Sequence, residues 1–169
     1  MSKLDIIVKV LNEKYIDSTE KLQEKAQEVN MTIDIRSRSR YKLYKFCPTK
    51  YKADHFARVE GLSRMCDYFL FIENGDKLYA FIIELKKSSG NSAIKQLDAG
   101  ECFVNYILDS AIRIGEDIKL TDCIIRKIKI KSKLKNKTRK GVEFDNNGYC
   151  SDYSFSDFNI DFILRCIKD

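Results

Sequence analysis

Two apolar runs separated by a short polar segment form the clearest pattern in the chain. The runs cover residues 68–72 and 79–83, and the segment 74–77 between them reads Asn-Gly-Asp-Lys. Apolar runs around such a turn sequence predict a β-hairpin with a four-residue loop. Because both faces of each strand are apolar, we expect the hairpin to be central in a sheet that is covered on both sides.

Helical spacing dominates two other parts of the chain. Apolar residues recur every three or four positions through residues 1–30, which predicts one long helix or two short ones, and Ser2 and Asp5 have the spacing of a capping box. The same spacing from position 91 or 92 to about 114 predicts a second long helix. The mixed charge of the first helix suits a scaffold or a surface that docks a partner.

Alternating and mixed patterns account for the remaining elements. Alternation over residues 32–46 predicts a strand or a hairpin, and residues 123–130 predict a further strand. Residues 52–60 have the pattern of a short helix, and residues 155–167 fit a strand or a short helix that packs on the core. The order of elements predicts an α/β fold with a mixed central sheet flanked by helices.

Length and composition narrow the class of protein. The chain has 169 residues, which predicts a single domain, with an N-terminal helical segment over 1–30 and a core over 31–169. No apolar run approaches the roughly 20 residues that span a bilayer, and the first residues lack a signal-peptide pattern, so we expect a cytoplasmic protein without a membrane partner. The six cysteines are widely spaced, which favours free thiols over a zinc site or a disulfide framework.

The net charge of +6 is unevenly distributed along the chain. Residues 31–59 carry eight basic and two acidic side chains, and residues 126–140 carry nine basic side chains and no acidic one. The segment between these two basic blocks is slightly acidic. Such a layout suits a polyanionic partner that is held by basic surfaces around a carboxylate site.

Pairing the predicted hairpin across its loop brings three charged residues together. Opposite residues have numbers that sum to 151, so Asp67 lies opposite Glu84, and Lys86 shares the same sheet face. Two close carboxylates suit a hard divalent cation such as Mg²⁺, and a neighbouring lysine can neutralise developing charge. The alternative is a structural Lys-Glu ion pair at a strand end.

The Asp67, hairpin and Glu84-Leu85-Lys86 arrangement resembles the PD-(D/E)xK nuclease superfamily, which has the restriction-endonuclease-like fold. The resemblance covers roughly residues 60–130. It implies that Asp67 and Glu84 bind Mg²⁺ or Mn²⁺ and that Lys86 is catalytic. Many members add a Glu on the preceding helix and a Gln on the following one, and Glu60 and Gln96 occupy those places, so that Glu60 is a further metal ligand and Gln96 a further catalytic residue.

The chain also departs from the family pattern. Cys66 stands where a Pro usually precedes the Asp, and Gly100 stands where one branch carries a Tyr. Glu60 precedes Asp67 too closely for the strand that usually lies between these two residues. Glu60 is therefore either a site residue or an ordinary surface acid. Some branches of the family use a His as a ligand, which makes His55 a candidate ligand. A lone His on a short helix is, however, more often not a ligand.

Alternating lysines in the second basic block form the last candidate site. In a strand they make a row of ammonium groups on one face, with spacing close to that of nucleic-acid phosphates. The alternative is an edge strand that its lysines protect against aggregation. The nucleic-acid-binding residues predicted in this row are Lys127, Lys129, Lys131, Lys133, Lys135 and Lys137.

Together these observations predict a metal-dependent nuclease that hydrolyses phosphodiester bonds of DNA or RNA. The family resemblance suggests the effector of a prokaryotic antiviral defence system, working with a larger protein partner that docks on the N-terminal helix. Two alternatives stay open, namely a non-catalytic nucleic-acid-binding subunit and an assembly subunit of a larger complex.

Overall fold

Eight strands and three helices form the regular structure of the part of the chain that the computed structural model describes. That part comprises residues 1–26, 29–45, 65–86, 92–131, 142–153 and 157–167. The helices are α1 (Lys3–Val10), α2 (Ser92–Arg113) and α3 (Ile160–Cys166). The strands are β1 (Lys21–Ala26), β2 (Val29–Arg36), β3 (Arg40–Lys45), β4 (Tyr68–Asn74), β5 (Lys77–Lys86), β6 (Cys123–Lys131), β7 (Tyr149–Tyr153) and β8 (Asp157–Asn159).

Two mixed sheets are present. The larger has the order β3-β4-β5-β6-β7, in which β4 is antiparallel to its neighbours while β5, β6 and β7 run parallel. Helix α2 makes the crossover between the parallel strands β5 and β6, as such a connection requires. The smaller sheet has the order β1-β2-β8, with β1 antiparallel and β8 parallel to β2. The prediction of an α/β fold with a mixed central sheet is confirmed.

The large sheet separates two hydrophobic cores. On one face, residues such as Phe69 and Ile82 pack against α1 and α2. On the other face, residues such as Leu70 and Phe81 pack against the small sheet and α3. This double coverage explains why β4 and β5 are apolar on both faces, and it confirms that the hairpin is central.

The hairpin has the predicted register with a shorter loop. Asn74 pairs with Lys77, so the loop contains two residues rather than four. Gly75 has a φ of 59°, which is the left-handed conformation that a two-residue hairpin turn favours and that glycine adopts without steric cost. The numbers of paired residues still sum to 151, as in the pair Tyr68 and Ile83.

The N-terminal segment differs most from prediction. Ser2 and Asp5 form the predicted capping box, but α1 ends at Val10, and residues 21–26 form β1 instead of a helix. Pairing with β2 buries Leu22 in the core, so that tertiary contacts override the helical spacing. Of the two alternatives for residues 32–46, the hairpin is wrong, because this range contains the strands β2 and β3, which belong to different sheets.

Helix α1 is part of the core rather than a free docking surface. Leu4, Ile6 and Ile7 are buried against the helix-covered face of the large sheet. The apolar face of α1 is therefore used by the core, and the docking of a protein partner on this helix stays a prediction. In the C-terminal part, β8 and α3 supply both the strand and the short helix that the mixed pattern allowed.

Other sequence expectations have a direct outcome. Helix α2 and β6 lie where predicted. Cys66, Cys102, Cys123, Cys150 and Cys166 are free, as expected for the cysteines that the structure describes. None of the helices in the described ranges is long and apolar enough to traverse a bilayer.

Gly100 marks the closest approach of α2 to the sheet. A Cβ atom at this position would lie 2.5 Å from Cγ2 of Ile82 and 3.0 Å from Sγ of Cys66. We expect Gly100→Ala to lower the free energy of unfolding by about 1–3 kcal/mol, because overpacking outweighs the gain in helix propensity. Chemical denaturation tests this against Asn105→Ala, an exposed change on the same helix. An unchanged midpoint for Gly100→Ala would show that α2 can move away from the sheet at no cost.

Candidate active site

The candidate site lies where β4 begins and β5 ends. Asp67 directly precedes β4, and the register of the hairpin places it opposite Glu84 near the end of β5. The Leu85 backbone amide donates a hydrogen bond of 2.7 Å to Oδ2 of Asp67, which links the two strands at this point. Glu84 and Lys86 alternate with the core residues Ile83 and Leu85, so both face the helix-covered side of the sheet.

Glu84 is a carboxylate in the protein interior. Its side chain is 1% exposed, and its Oε1 lies 2.6 Å from the Nζ atom of Lys86, whose side chain is 25% exposed. Its other oxygen, Oε2, is buried and has no hydrogen-bond partner among the described residues. A buried unsatisfied carboxylate oxygen is costly, so this atom calls for a ligand that the described residues do not supply.

The two carboxylates disfavour each other's charge. Burial raises the pKa of Glu84 to about 7, and the neighbouring Asp67 adds to the shift, while Lys86 opposes it. Burial also raises the pKa of Asp67, and its hydrogen bond with Leu85 opposes that rise. The pair therefore holds less than two full negative charges near neutral pH unless a cation joins it.

The raised pKa of Glu84 predicts how stability depends on pH. This pKa is about 7 in the folded protein against an ordinary value of 4.5, so protonation of Glu84 stabilises the folded state. The stabilisation is complete below about pH 4.5 and is lost as pH rises through 7. We expect Glu84→Gln to be more stable than the wild type by on the order of 3 kcal/mol above pH 7, with a much smaller difference near pH 5. Urea unfolding in EDTA at both pH values measures this, with the exposed Glu143→Gln as control. A difference that does not depend on pH would contradict the shift.

Gln96 lies beside the site but is engaged by the backbone. Its Nε2 donates a hydrogen bond of 3.3 Å to the carbonyl of Met65, two residues before Asp67. This contact ties the first turns of α2 to the segment that leads into β4. The described geometry therefore supports a positioning role for Gln96, while a catalytic role stays a prediction.

Two residues that sequence reasoning missed also act on Asp67. The negative charge of Glu24 raises the pKa of Asp67, and the positive charge of Lys45 lowers it. Glu24 is on β1, and its Oε2 is buried with no hydrogen-bond partner among the described residues. In a strand, Glu24 shares the inward face of Leu22, so a strand prediction for this segment would have identified it. The prediction of a helix over residues 1–30 did not place Glu24 on that face.

The lysine row differs from the expected solvent-facing array. Strand β6 lies between β5 and β7, so the alternative of an edge strand is wrong. Lys127 and Lys129 are buried on the face that α2 covers, at 8% and 7% exposure, whereas Ile128 and Ile130 face the other core. These two lysines of the row are thus largely enclosed side chains and not part of an exposed array.

Lys127 is bound internally. Its Nζ lies 2.9 Å from Oδ1 of Asp98 and 2.7 Å from Oε2 of Glu101, both on α2. Burial alone would lower the pKa of Lys127, but the hydrogen bonds to these carboxylates reverse the effect and the net shift is upward. We therefore do not retain Lys127 as a nucleic-acid contact. A net acidic pocket of about 420 Å³ lies next to this cluster and also contains Tyr149 and Asp145.

Several predicted site residues lie outside the described ranges. These are His55, Glu60, Lys133, Lys135 and Lys137. Their assignment stays a prediction from the sequence.

The carboxylate pair fits a small hard cation. Within the described ranges, no three Asp, Glu, His or Cys side chains come together in a group that could hold a metal ion. Mg²⁺, however, usually takes one or two carboxylates and completes its shell with water and substrate phosphate oxygens. Asp67 and Glu84 supply two carboxylates, and Oε2 of Glu84 is a ligand atom that has no hydrogen-bond partner in the described part of the chain. The residues present therefore fit such an ion.

Comparison with protein-family models, with curated proteins and with solved structures found no match to this chain.

Proposed function

We propose that this protein is a Mg²⁺- or Mn²⁺-dependent nuclease that hydrolyses phosphodiester bonds of DNA or RNA at Asp67, Glu84 and Lys86. The observation that carries the proposal is the buried, electrostatically strained pair of carboxylates at adjacent strand ends, with an unsatisfied Glu84 oxygen and a lysine at 2.6 Å. Perturbed carboxylates next to a partner of opposite charge are typical of functional sites.

The order of elements supports the resemblance to the PD-(D/E)xK superfamily. Helix α1 precedes β3, which pairs with β4, and the β4-β5 hairpin is followed by α2 and the parallel strand β6. Strand β3 pairs with β4 but precedes Glu60 in the chain, so it does not supply the strand that usually lies between the Glu and the Asp, and the role of Glu60 as a ligand stays a prediction. The restriction-endonuclease-like fold is accordingly part of our proposal.

Each site residue has a role in hydrolysis of the phosphodiester. Asp67 and Glu84 would hold the divalent cation, whose chemistry when bound would be to make a water more acidic and to offset charge on the phosphate. Lys86 donates from its ammonium group to the attacking water or to the phosphate oxygens as negative charge builds up. Water adds its oxygen to phosphorus and one P–O ester bond breaks. One proton of the water ends on the departing oxygen, which becomes an alcohol, and the other stays on the new phosphate monoester until solvent takes it.

The main alternative is a nucleic-acid-binding subunit without catalysis. The ion pair of Lys86 with Glu84 favours it, because that contact alone accounts for one oxygen of the buried carboxylate. It leaves the second oxygen of Glu84 unexplained, and for that reason we prefer the nuclease. A role in prokaryotic defence stays a prediction from the resemblance.

Incubation with labelled single- and double-stranded DNA and RNA tests the proposal. Each substrate is combined with Mg²⁺, Mn²⁺ or EDTA, and the products are separated on denaturing gels. We expect cleavage of at least one substrate with a metal and no cleavage in EDTA. Binding without cleavage under all metal conditions would favour the alternative subunit, and cleavage in EDTA would exclude the proposed role of the carboxylates.

A further inference from the structure

Lys127 and Lys129 offer an internal comparison between two buried lysines. They are two residues apart on β6, face the same side of the sheet, and have nearly equal exposures of 8% and 7%. Their electrostatic surroundings differ. Lys127 contacts two carboxylates on α2, at 2.9 Å from Asp98 and 2.7 Å from Glu101.

Lys129 lies beside Glu84 in the strand pairing but makes no contact of that kind with a described residue. Among the residues that the structure describes, it forms neither an ion pair nor a hydrogen bond through its ammonium group. A largely buried charge is stable only when a counter-charge or hydrogen bonds compensate for lost hydration. Among the described side chains, Nζ of Lys129 is not one of the buried atoms that lack a hydrogen-bond partner, so its ammonium group keeps contact with solvent and an anion that binds at this face can reach it.

The strand register places Lys129 at the candidate active site. Glu84 of β5 is paired with Lys129 of β6, and the two strands are parallel, so their side chains lie on the same face about 5 Å apart. Lys86 is paired in the same way with Lys131. Relative to Glu84, Lys86 thus lies two residues further along β5, and Lys129 lies beside it on β6.

The N-terminal end of α2 adds positive electrostatic potential at the candidate active site. The hydrogen bond from Gln96 to the carbonyl of Met65 brings the first turns of the helix to the segment just before Asp67. The N-terminal end of a helix of 22 residues carries a partial positive charge. An anion next to Lys129 would therefore meet two lysines and a helix terminus around the carboxylate pair.

We propose that Lys129 binds a phosphate oxygen of the nucleic-acid strand directly beside the Asp67 and Glu84 carboxylates. This inference rests on the proposed function, because it takes the bound anion to be the phosphodiester backbone of the substrate. Lys129 would hold the backbone in place, while Lys86 acts on the reacting phosphate. Of the described lysines in the row, this assigns substrate contact to Lys129 and internal packing to Lys127.

The test measures nucleic-acid binding in EDTA, where the proposed cleavage does not occur. Affinity for a labelled oligonucleotide is determined over a range of salt concentrations for the wild type, Lys129→Gln and Lys127→Gln. One lost phosphate contact flattens the slope of log affinity against log salt by about 0.7 to 0.9. We expect this change for Lys129→Gln, a slope within error of wild type for Lys127→Gln, and recovery of the slope by Lys129→Arg.

Stability of the free protein supplies a second readout. Lys129→Gln removes a charge that forms no ion pair among the described residues, so we expect its denaturation midpoint to equal or exceed that of the wild type. Lys127→Gln breaks two ion pairs, so we expect a lower midpoint. A marked loss of stability in Lys129→Gln would show that Lys129 has an internal partner and would overturn the proposal.

The remaining outcomes separate this proposal from the proposed function. A salt slope unchanged by Lys129→Gln overturns the phosphate contact even if the wild type cleaves nucleic acid. A flattened slope without metal-dependent cleavage supports the contact and rejects the nuclease. Absence of binding by the wild type overturns the contact. Inorganic pyrophosphate is also added to both proteins. If it stabilises the wild type but not Lys129→Gln, and if Lys129→Gln leaves the oligonucleotide slope unchanged, Lys129 binds a free phosphate compound instead and the proposal is overturned.

Discussion

Asp67→Asn abolishes metal-dependent cleavage while the fold survives, if the carboxylate pair holds the catalytic cation. The amide keeps the shape of the side chain and an oxygen that can accept the 2.7 Å hydrogen bond from Leu85, so the link between β4 and β5 remains. What is lost is negative charge at the metal. Since metal chemistry contributes several kcal/mol to such reactions, we expect the rate at saturating substrate to fall at least about 1,000-fold.

Glu84→Gln is the companion variant, with the same expected loss of cleavage. Removal of its charge also relieves the repulsion within the pair, so inactivity cannot be attributed to unfolding. Asp76→Asn, at the exposed hairpin turn, is the control that changes charge on the same hairpin without touching the site. Cleavage by either site variant at more than a tenth of the wild-type rate would rule out a metal held by these carboxylates.

Lys86→Met should produce the second large effect. Lys86 pairs with Glu84 at 2.6 Å and is partly exposed, so its ammonium group can reach both the buried carboxylate and a substrate. A group that acts mainly on charge developing in the transition state affects the rate more than substrate binding. We therefore expect cleavage at saturating substrate to fall about 100-fold, with nucleic-acid affinity changed less than about threefold.

A matched change at Lys119 separates this effect from general loss of charge. Lys119 is exposed and precedes the start of β6. It therefore lies at the opposite end of the parallel strands from the candidate site, which is where β5 ends. Lys119→Met removes the same charge, and we expect a normal rate. Equal losses of rate and affinity in Lys86→Met would make Lys86 an ordinary phosphate contact rather than a catalytic group.

The hairpin and its charges could be predicted from the sequence because their determinants are local. The turn residues, the two apolar runs and the strand period together set the register that places Asp67 opposite Glu84. The loop was predicted two residues too long, yet the register was right, because lengthening both strands by one residue leaves the sum of paired numbers unchanged.

The N-terminal region could not be predicted in the same way. Leu22 fits a helical stripe as well as the inward face of a strand, and only pairing with β2 decides between them. Glu24 was missed for the same reason. The different fates of Lys127 and Lys129 were equally hidden, because the partners of Lys127 lie on α2, about 30 residues earlier in the chain.

Direct binding of Mn²⁺ tests the central claim that Asp67 and Glu84 form a divalent-metal site. Electron paramagnetic resonance reports free Mn²⁺, so a titration of the protein near pH 8 gives the number of bound ions. We expect the wild type and Asp76→Asn to bind Mn²⁺ in equal amounts, and Asp67→Asn and Glu84→Gln to lose that binding. Equal Mn²⁺ binding by all four proteins, or none by the wild type, would contradict the account.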